Sequence, residues 1–410
     1  MRVGRTIPPV AAPLDAIDLW FGASGLVRPA RAQRRFEDEL RRVFGVRHVF
    51  PLSSGTAALT VALKALGSIA GRTDVILPAY TCFTVPAAIV QAGLRPVLCD
   101  IAPDSFDFDH AQLARLVNRR TLAVIVQHLF GIPSNVARVR RICAPHGAFV
   151  IEDAAQAMGV ETNGRLLGTI GDVGIFSLGR GKHVTCGEGG VVVTSVASVA
   201  NAVERQYRNV HGAAFTDALI GLAKTTVMCA FIRPWLYWIP AGLPFLRLGE
   251  TTYPTRVVVR RLSGMHAGLM RRMRSRMQRA RRIRSRTAAQ LRSRLRLPSR
   301  DGGDRHPYLR LPVYATTPEE KTRVFAISQR HGLGLALGYP SAVSEIPELR
   351  SQFCGQRFPN ATRVSAHLLT LPTHHWLIET DTQAIADHLR GAVQISCPPD
   401  TEDVFHREGA

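Results

Sequence analysis

Lys182 is the side chain of this 410-residue sequence whose type and setting point most directly to covalent chemistry. The chain carries four lysines against 48 arginines, so arginine does almost all of the work of solvation and ion pairing. Guanidinium cannot give up its proton near neutral pH, whereas a lysine ammonium can be tuned downward until its amine attacks a carbonyl. Lys182 lies in Phe176-Ser177-Leu178-Gly179-Arg180-Gly181-Lys182-His183, a glycine-punctuated turn followed by Gly187-Glu188-Gly189-Gly190 and the apolar run Val191-Val192-Val193. An ordinary loop lysine is the bland alternative, and only other residues can lift Lys182 above it.

Three further segments supply that company. Ser54-Gly55-Thr56 falls between a strand-like run and a helical one, where backbone amides at a helix N-terminus bind phosphate; the same tripeptide also reads as a plain N-cap. Phe149-Val150-Ile151-Glu152-Asp153 puts two acids at the C-terminal end of a buried strand, where open α/β sheets bind ligands. Successive strand residues face opposite sides, so one acid alone can face a ligand there. Ser177, five residues before Lys182, can aim a hydroxyl at the phosphate held by Ser54-Gly55-Thr56. A phosphate turn, a strand-end aspartate able to protonate a pyridine nitrogen, then serine and lysine on one turn: that order fits pyridoxal 5′-phosphate.

The elements that must position these residues are legible as alternating patterns. Strand-length apolar runs occur at 49–52, Val75–Leu77, Pro96–Cys99, Leu122–Val126, Ala148–Ile151, Val173–Ser177 and Gly190–Thr194, with helical patterns between most of them. This predicts an α/β fold with a mostly parallel sheet covered on both faces. Residues 1–30 read as an N-terminal arm that prolines keep irregular. Residues 31–250 read as the large domain, with an apolar insert at 215–250, and residues 251–410 as a smaller C-terminal α/β domain. That last region begins with an arginine-rich helical segment, 256–297, and a linker at 299–303. Seven scattered cysteines without CxxC spacing argue for free thiols and against a metal site. No apolar signal-peptide core is evident, so a cytoplasmic location is expected.

The pieces S-S-G-T-A-A-L (53–59), P-A-Y-T (78–81), E-D-A-A-Q-A-x-G (152–159), S-x-x-x-x-K (177–182), G-E-G-G (187–190) and L-P-T-H (371–374) resemble the DegT/StrS-type (DegT/DnrJ/StrS) aminotransferases over residues 30 to 390. The resemblance implies a fold-type-I pyridoxal-phosphate transferase. It implies a Schiff base on Lys182, Asp153 at the pyridine nitrogen, Gln156 beside the ring, and phosphate on Ser54, Gly55, Thr56 and Ser177. It also implies a homodimer with active sites at the subunit boundary. Members often stack an aromatic on the ring immediately after P-A-Y-T. Here that slot is Cys82, so either Phe83 reaches the ring by a small backbone shift, which we prefer, or the stacking is lost. An asparagine that members supply from the partner subunit has Val259 in its place, with Arg260 or Arg261 as substitutes.

The expected reaction is transfer of an amino group, with glutamate as donor, to a nucleotide-linked keto sugar, for glycan or secondary-metabolite biosynthesis. The alternatives are a sugar dehydratase, which in this family has histidine at the lysine position, and a non-catalytic binding protein that keeps the fold. Lys182, rather than His183, holds the five-residue spacing from Ser177 and favours amino transfer. His374 and His375 are candidate substrate contacts or satisfied loop residues. The net charge of +21 is concentrated in fifteen arginines between Arg256 and Arg296 with no acid among them. Together with the Trp/Tyr cluster of 218–248 they suggest peripheral contact with an anionic inner membrane face. The competing reading is that the insert packs at a dimer interface over a solvated arginine helix. No nucleic-acid reading motif accompanies the charge.

Overall fold

The computed structural model describes residues 4–246, 248–297, 306–390 and 395–396. Seven strands form the main sheet: β1 (His48–Leu52), β2 (Asp74–Pro78), β3 (Arg95–Cys99), β4 (Thr121–Gln127), β5 (Phe149–Asp153), β6 (Val173–Ser177) and β7 (Gly190–Thr194). Their order is β1-β7-β6-β5-β4-β2-β3. The five strands from β3 to β6 run parallel, while β7 is antiparallel to both β6 and β1. This is the α/β architecture expected from the sequence, and each apolar run identified there falls on one of these seven strands, with Ala148 just ahead of β5. β2 and β4 are buried along their whole length, as a sheet covered on both faces requires.

Antiparallel β7 returns the chain from the Lys182 turn to the phosphate-type turn after β1. A side chain at Gly190 would collide with the backbone: its Cβ would lie 2.3 Å from the carbonyl carbon of Ser54 and 2.5 Å from the nitrogen of Gly55. Glycine at 190 therefore lets the start of β7 pass directly against the start of helix Gly55–Ala70.

A second sheet is built from β8 (Arg310–Ala315), β9 (Ala336–Leu337), β10 (Leu368–Pro372) and β11 (Ile395–Ser396), in the order β9-β10-β8-β11. Helices Pro318–His331, Pro359–His367 and Glu379–Arg390 accompany it. The proposed linker at 299–303 lies outside the described residues.

Two features depart from the sequence reading. Residues 1–30 are not irregular throughout: Ala16–Val27 is a helix. The prolines at 8, 9 and 13 all precede its N-cap, Asp15, so they do not oppose it. Its Gly25 lies so close to helix Gly264–Leu269 that an added Cβ would sit 2.1 Å from the Gly264 carbonyl oxygen. Residues 264–269 thus pack with the helices leading into the main sheet, although their sequence position suggests the C-terminal region.

The arginine-rich helix, Met273–Leu295, is also not uniformly solvated. Arg284 and Arg292 are buried. Arg284 donates from Nη1 to the Leu309 carbonyl (2.7 Å) and the Thr373 hydroxyl (3.0 Å), and from Nη2 to the Ala11 carbonyl (3.0 Å). One guanidinium therefore ties the N-terminal arm to the start of β8 and the end of β10. The apolar insert forms helix Phe215–Phe231 and a short turn of helix at Trp238–Ala241. Ala218, Gly221 and Thr225 face inward, and Phe215, Leu219, Ile220, Val227, Trp235 and Phe245 are exposed. Among the described residues no helix is long and apolar enough to cross a membrane.

Replacing Arg284 with methionine removes a donor that three segments share and leaves the Ala11 carbonyl without its guanidinium partner, while Leu309 keeps the Thr373 hydroxyl. We expect a loss of about 3 kcal/mol in urea unfolding, against a change within about 0.5 kcal/mol for exposed Arg282→Ala on the same helix.

Candidate active site

Asp153 ends β5 and Ser177 ends β6, so the residues singled out in the sequence lie at the C-terminal end of the parallel strands and the turns that follow them. Ser54 caps helix Gly55–Ala70, its hydroxyl accepting the Ala57 N–H at 3.0 Å. The cap orients the helix start, and the amides of Gly55 and Thr56 meet no acceptor among the described residues. Ser177, at the end of β6, closes this turn. A Cβ on Gly55 would lie 3.0 Å from the Ser177 Cβ and 3.3 Å from its Oγ. Two free amides and a hydroxyl at a helix N-terminus form a cradle for a phosphate-sized anion.

Strand alternation separates the two acids of β5. Glu152 is fully buried beneath the site: its carboxylate accepts the Gly168, Ile170 and Gly171 N–H groups at 2.9, 2.5 and 2.6 Å and pairs with His128 Nε2 at 2.9 Å. Burial alone would raise its pKa, but His128 and these donors hold it below the usual glutamate value. With every oxygen engaged, Glu152 is a structural anchor. Asp153, on the opposite side, accepts from the Ala155 N–H through Oδ1 at 3.1 Å, and its other oxygen meets no donor among the described residues. Burial pushes its pKa upward, opposed by the Ala155 amide and by the charge of Lys182.

Lys182 sits on the turn between β6 and β7, half-buried and close enough to Asp153, Cys82 and Arg310 to feel their charge. Desolvation lowers its pKa, and Arg310 adds to that effect, while Cys82 and Asp153 work against it. Gly181, with φ of 77°, makes the turn that presents it and packs against Val10 of the N-terminal arm. His183 faces elsewhere: it is buried with Nε2 3.0 Å from the Gln156 carbonyl, and burial holds its pKa well below normal.

Gln156 links the two sheets. Its Nε2 donates to the Tyr339 hydroxyl at 2.8 Å and its Oε1 accepts the Phe130 N–H at 3.1 Å. Tyr339, which the sequence reading missed, interacts electrostatically with Asp153 and Cys82. It follows β9 on the second sheet, and no motif in the sequence marks it.

Other candidates fall differently. Cys82 is the residue that interacts with Lys182, whereas Phe83 is buried and lies against Tyr339 with ring centroids 6.4 Å apart. Phe83 thus supports Tyr339 from behind. Arg260 is paired with Asp217, and Arg261 lies over the Tyr207 ring at 4.7 Å, so both guanidiniums are engaged within their own chain. His374 is buried with Nε2 2.7 Å from the Pro8 carbonyl, holding the N-terminal arm in place. Among the described residues no cluster of histidine, cysteine or acidic side chains is arranged to hold a metal.

The donor set therefore fits a flat, phosphate-bearing pyridine aldehyde: an anion cradle, an amine of depressed pKa, and a buried carboxylate with an open oxygen. Over shorter stretches the chain resembles enzymes of amino-sugar and aminocyclitol formation. It is 38% identical over 161 residues to GDP-perosamine synthase of Vibrio cholerae, covering 39% of this chain and 44% of that protein. It is 37% identical over 202 residues to L-glutamine:2-deoxy-scyllo-inosose aminotransferase of Streptoalloteichus tenebrarius, covering 48% and 47%. These alignments span about half the length of the curated relatives. The fold match is nearly complete: a DegT DnrJ EryC1 StrS aminotransferase from Brucella abortus superposes with a TM-score of 0.69 at 23% identity, over 91% of this chain and 95% of that one. Helicobacter pylori PseC, an aminotransferase involved in pseudoaminic acid biosynthesis, gives 0.74 at 18% identity over 95% and 99%. Residues 20–220, which contain the phosphate-type turn, Asp153 and Lys182, match the model of the DegT/DnrJ/EryC1/StrS aminotransferase family.

Proposed function

We propose that this chain is a pyridoxal-phosphate-dependent aminotransferase that moves an amino group, with glutamate as donor, onto a keto sugar carried by a nucleotide. The observation that carries the reading is Lys182, an amine lowered in pKa within charge range of Asp153, on the loop that leaves Ser177 where Ser177 packs against the phosphate-type turn at Gly55. Pyridoxal 5′-phosphate is the cofactor that this donor set suits, and when bound it supplies an electron sink for the carbon that carries the amine. Gly55, Thr56, Ser177 and the Ser54 cap would hold its phosphate. The free oxygen of Asp153 would keep its ring nitrogen protonated, and Gln156 and Cys82 would lie beside the ring.

The chain's own residues then divide the work. Lys182 Nζ would hold the cofactor, and its amine would take and return the substrate proton. Desolvation makes this possible by favouring the neutral amine. Asp153 opposes that trend and keeps Lys182 from losing basicity altogether. Glu152, engaged by His128 and three amides, fixes the strand end from which Asp153 projects.

A sugar dehydratase is the alternative within the fold, and the lysine at position 182 favours amino transfer over it. A non-catalytic protein would not be expected to keep Lys182, Asp153 and the cradle together. The working form is a cytoplasmic homodimer, and the exposed face of the insert, with Phe215, Leu219 and Ile220, is its contact surface. Sedimentation with anionic vesicles at low salt tests the competing membrane role for 218–248; a dimer that stays in the supernatant removes it.

Borohydride reduction with peptide mapping should place the cofactor on Lys182, and Lys182→Ala should lose both the adduct and the visible absorbance. Asp153→Asn should still load but react with glutamate about 100-fold more slowly. Glutamate, or glutamine as in the named relatives, should bleach the band, and a panel of nucleotide keto sugars should restore it with an amino sugar as product. A deoxy sugar without nitrogen would establish the dehydratase instead.

The direction of the Lys182 shift gives a pH test. Because the neutral amine captures the aldehyde, loading of cofactor-free protein should rise with pH through a midpoint below the ordinary lysine value of about 10.4. A midpoint at or above that value in stopped-flow absorbance would contradict the burial of Lys182.

A further inference from the structure

Five arginines line a cavity that lies outside the residues assigned to the cofactor and the reaction. Its volume is about 230 Å³, and its walls come from the N-terminal arm at 11–13, from helix Met273–Leu295 with its N-cap Arg272, and from the loop after β10. The five are Arg272, Arg276, Arg279, Arg282 and Arg284, and among the described residues Asp15 is the one carboxylate in the lining. That acid is already engaged, with Oδ2 3.3 Å from Arg272 Nη1. Arg276 and Arg284 donate to carbonyls and a hydroxyl, which satisfy hydrogen bonds but cancel no charge. Arg279 and Arg282 are exposed on one side and meet neither acceptor nor carboxylate among the described residues.

The histidines of the wall add no charge near neutral pH. Burial lowers the pKa of His183, His374 and His375, the last to about 4. Arg284 is lowered to about 9 by burial and remains a cation. Five positive charges therefore face one negative charge. Two atoms of the wall, Arg284 Nε and His375 Nε2, are also withdrawn from solvent with no hydrogen-bond partner among the described residues. Groups in that state are costly unless a partner arrives from outside the chain. The cavity is smaller than the roughly 300–1,000 Å³ of sites for drug-sized ligands, so it suits a small anion better than a nucleotide. Val184 and Ile283 give it apolar patches against which a short carbon skeleton could rest.

We propose that this cavity is a second anion site, separate from the cradle at Gly55, for inorganic phosphate or a small phosphomonoester. A phosphomonoester brings close to two negative charges near neutral pH and three acceptor oxygens, where a carboxylate brings one charge. Guanidinium forks bind phosphate oxygens in pairs, and arginine rather than lysine supplies every cation here. The location gives an occupant a mechanical consequence. His183 and Val184, which follow Lys182 directly, form part of the wall, and Val10 of the arm packs on Gly181. An anion joining the arm at 11–13 to helix Met273–Leu295 therefore braces the turn that carries Lys182.

The experiment titrates cofactor-loaded, borohydride-reduced protein, whose cradle at Gly55 is then filled, with inorganic phosphate and with glycerol 3-phosphate in a calorimeter at low salt. Saturable binding of either supports the site, and the tighter of the two identifies the free ion or the ester as its source. Arg279→Gln should weaken that binding about 10-fold, whereas Arg31→Gln, an exposed arginine on helix Pro29–Phe44, should leave it unchanged. Bound phosphate should also slow hydrogen exchange at residues 11–15 and 181–184 in wild type, and much less in Arg279→Gln. The exchange pattern elsewhere shows that the variant is folded. Failure of both ligands to saturate at millimolar concentration overturns the proposal. So does an unaltered affinity in Arg279→Gln, an equal loss in Arg31→Gln, or displacement of the bound phosphate by equimolar UDP. The site does not depend on the aminotransferase reading: protein that forms no Lys182 adduct is titrated directly, because the Arg279 comparison identifies the cavity.

Discussion

The closest backbone approach in the active site, Gly190 against Ser54 and Gly55, is the constraint on which the rest depends. It brings the strand leaving the Lys182 turn against the first turn of a helix more than a hundred residues earlier. Any side chain at 190 would drive these segments apart, and with them the Ser177 hydroxyl and the two free amides. The antiparallel reversal between β6 and β7 has the same consequence. It sends Ser177 and Gly190 to one register position and leaves Lys182 on the loop above it. Phosphate cradle and nucleophile are therefore set by one piece of backbone geometry.

Electrostatics complete what the backbone begins. Two carboxylates adjacent in sequence have opposite fates because a strand alternates its faces. Glu152 is saturated with donors and stays ionised as an anchor, while Asp153 keeps an oxygen open toward the pocket. Desolvation pushes Asp153 and Lys182 toward their neutral forms, and their mutual attraction resists. A pocket in this balance is suited to a cofactor bearing a cationic ring nitrogen and an aldehyde.

The positive charge of the chain has several structural roles, which a net figure conceals. Arg284 binds carbonyls from the arm and the second sheet, Arg260 pairs with Asp217, and Arg261 covers Tyr207. Arg310 is the exception, held near Lys182 with one weak partner. The arginine-rich segment is thus in part internal scaffolding, which weakens the case for reading it as a solvated or lipid-facing surface.

Much of the fold was legible because strands buried on both faces write themselves as uninterrupted apolar runs, and seven such runs mark the main sheet, five of its strands parallel. Local spacing likewise exposed Ser54-Gly55-Thr56, Asp153, Ser177 and Lys182, since each belongs to a short turn whose chemistry needs those residue types. The helix at Ala16–Val27 was hidden by prolines that end just before it and by glycines whose purpose is close packing. Tyr339, Tyr237 and Arg310 carry no local signature. They belong to the second sheet and the insert, and only tertiary packing brings Tyr339 to Gln156 and Arg310 within charge range of Lys182. The division between Cys82 and Phe83 was equally undecidable from sequence, because a one-residue difference at the start of a helix turns a side chain from the pocket into the core. Sequence determined which groups exist and which turns hold them; burial and long-range approach determined which face each other.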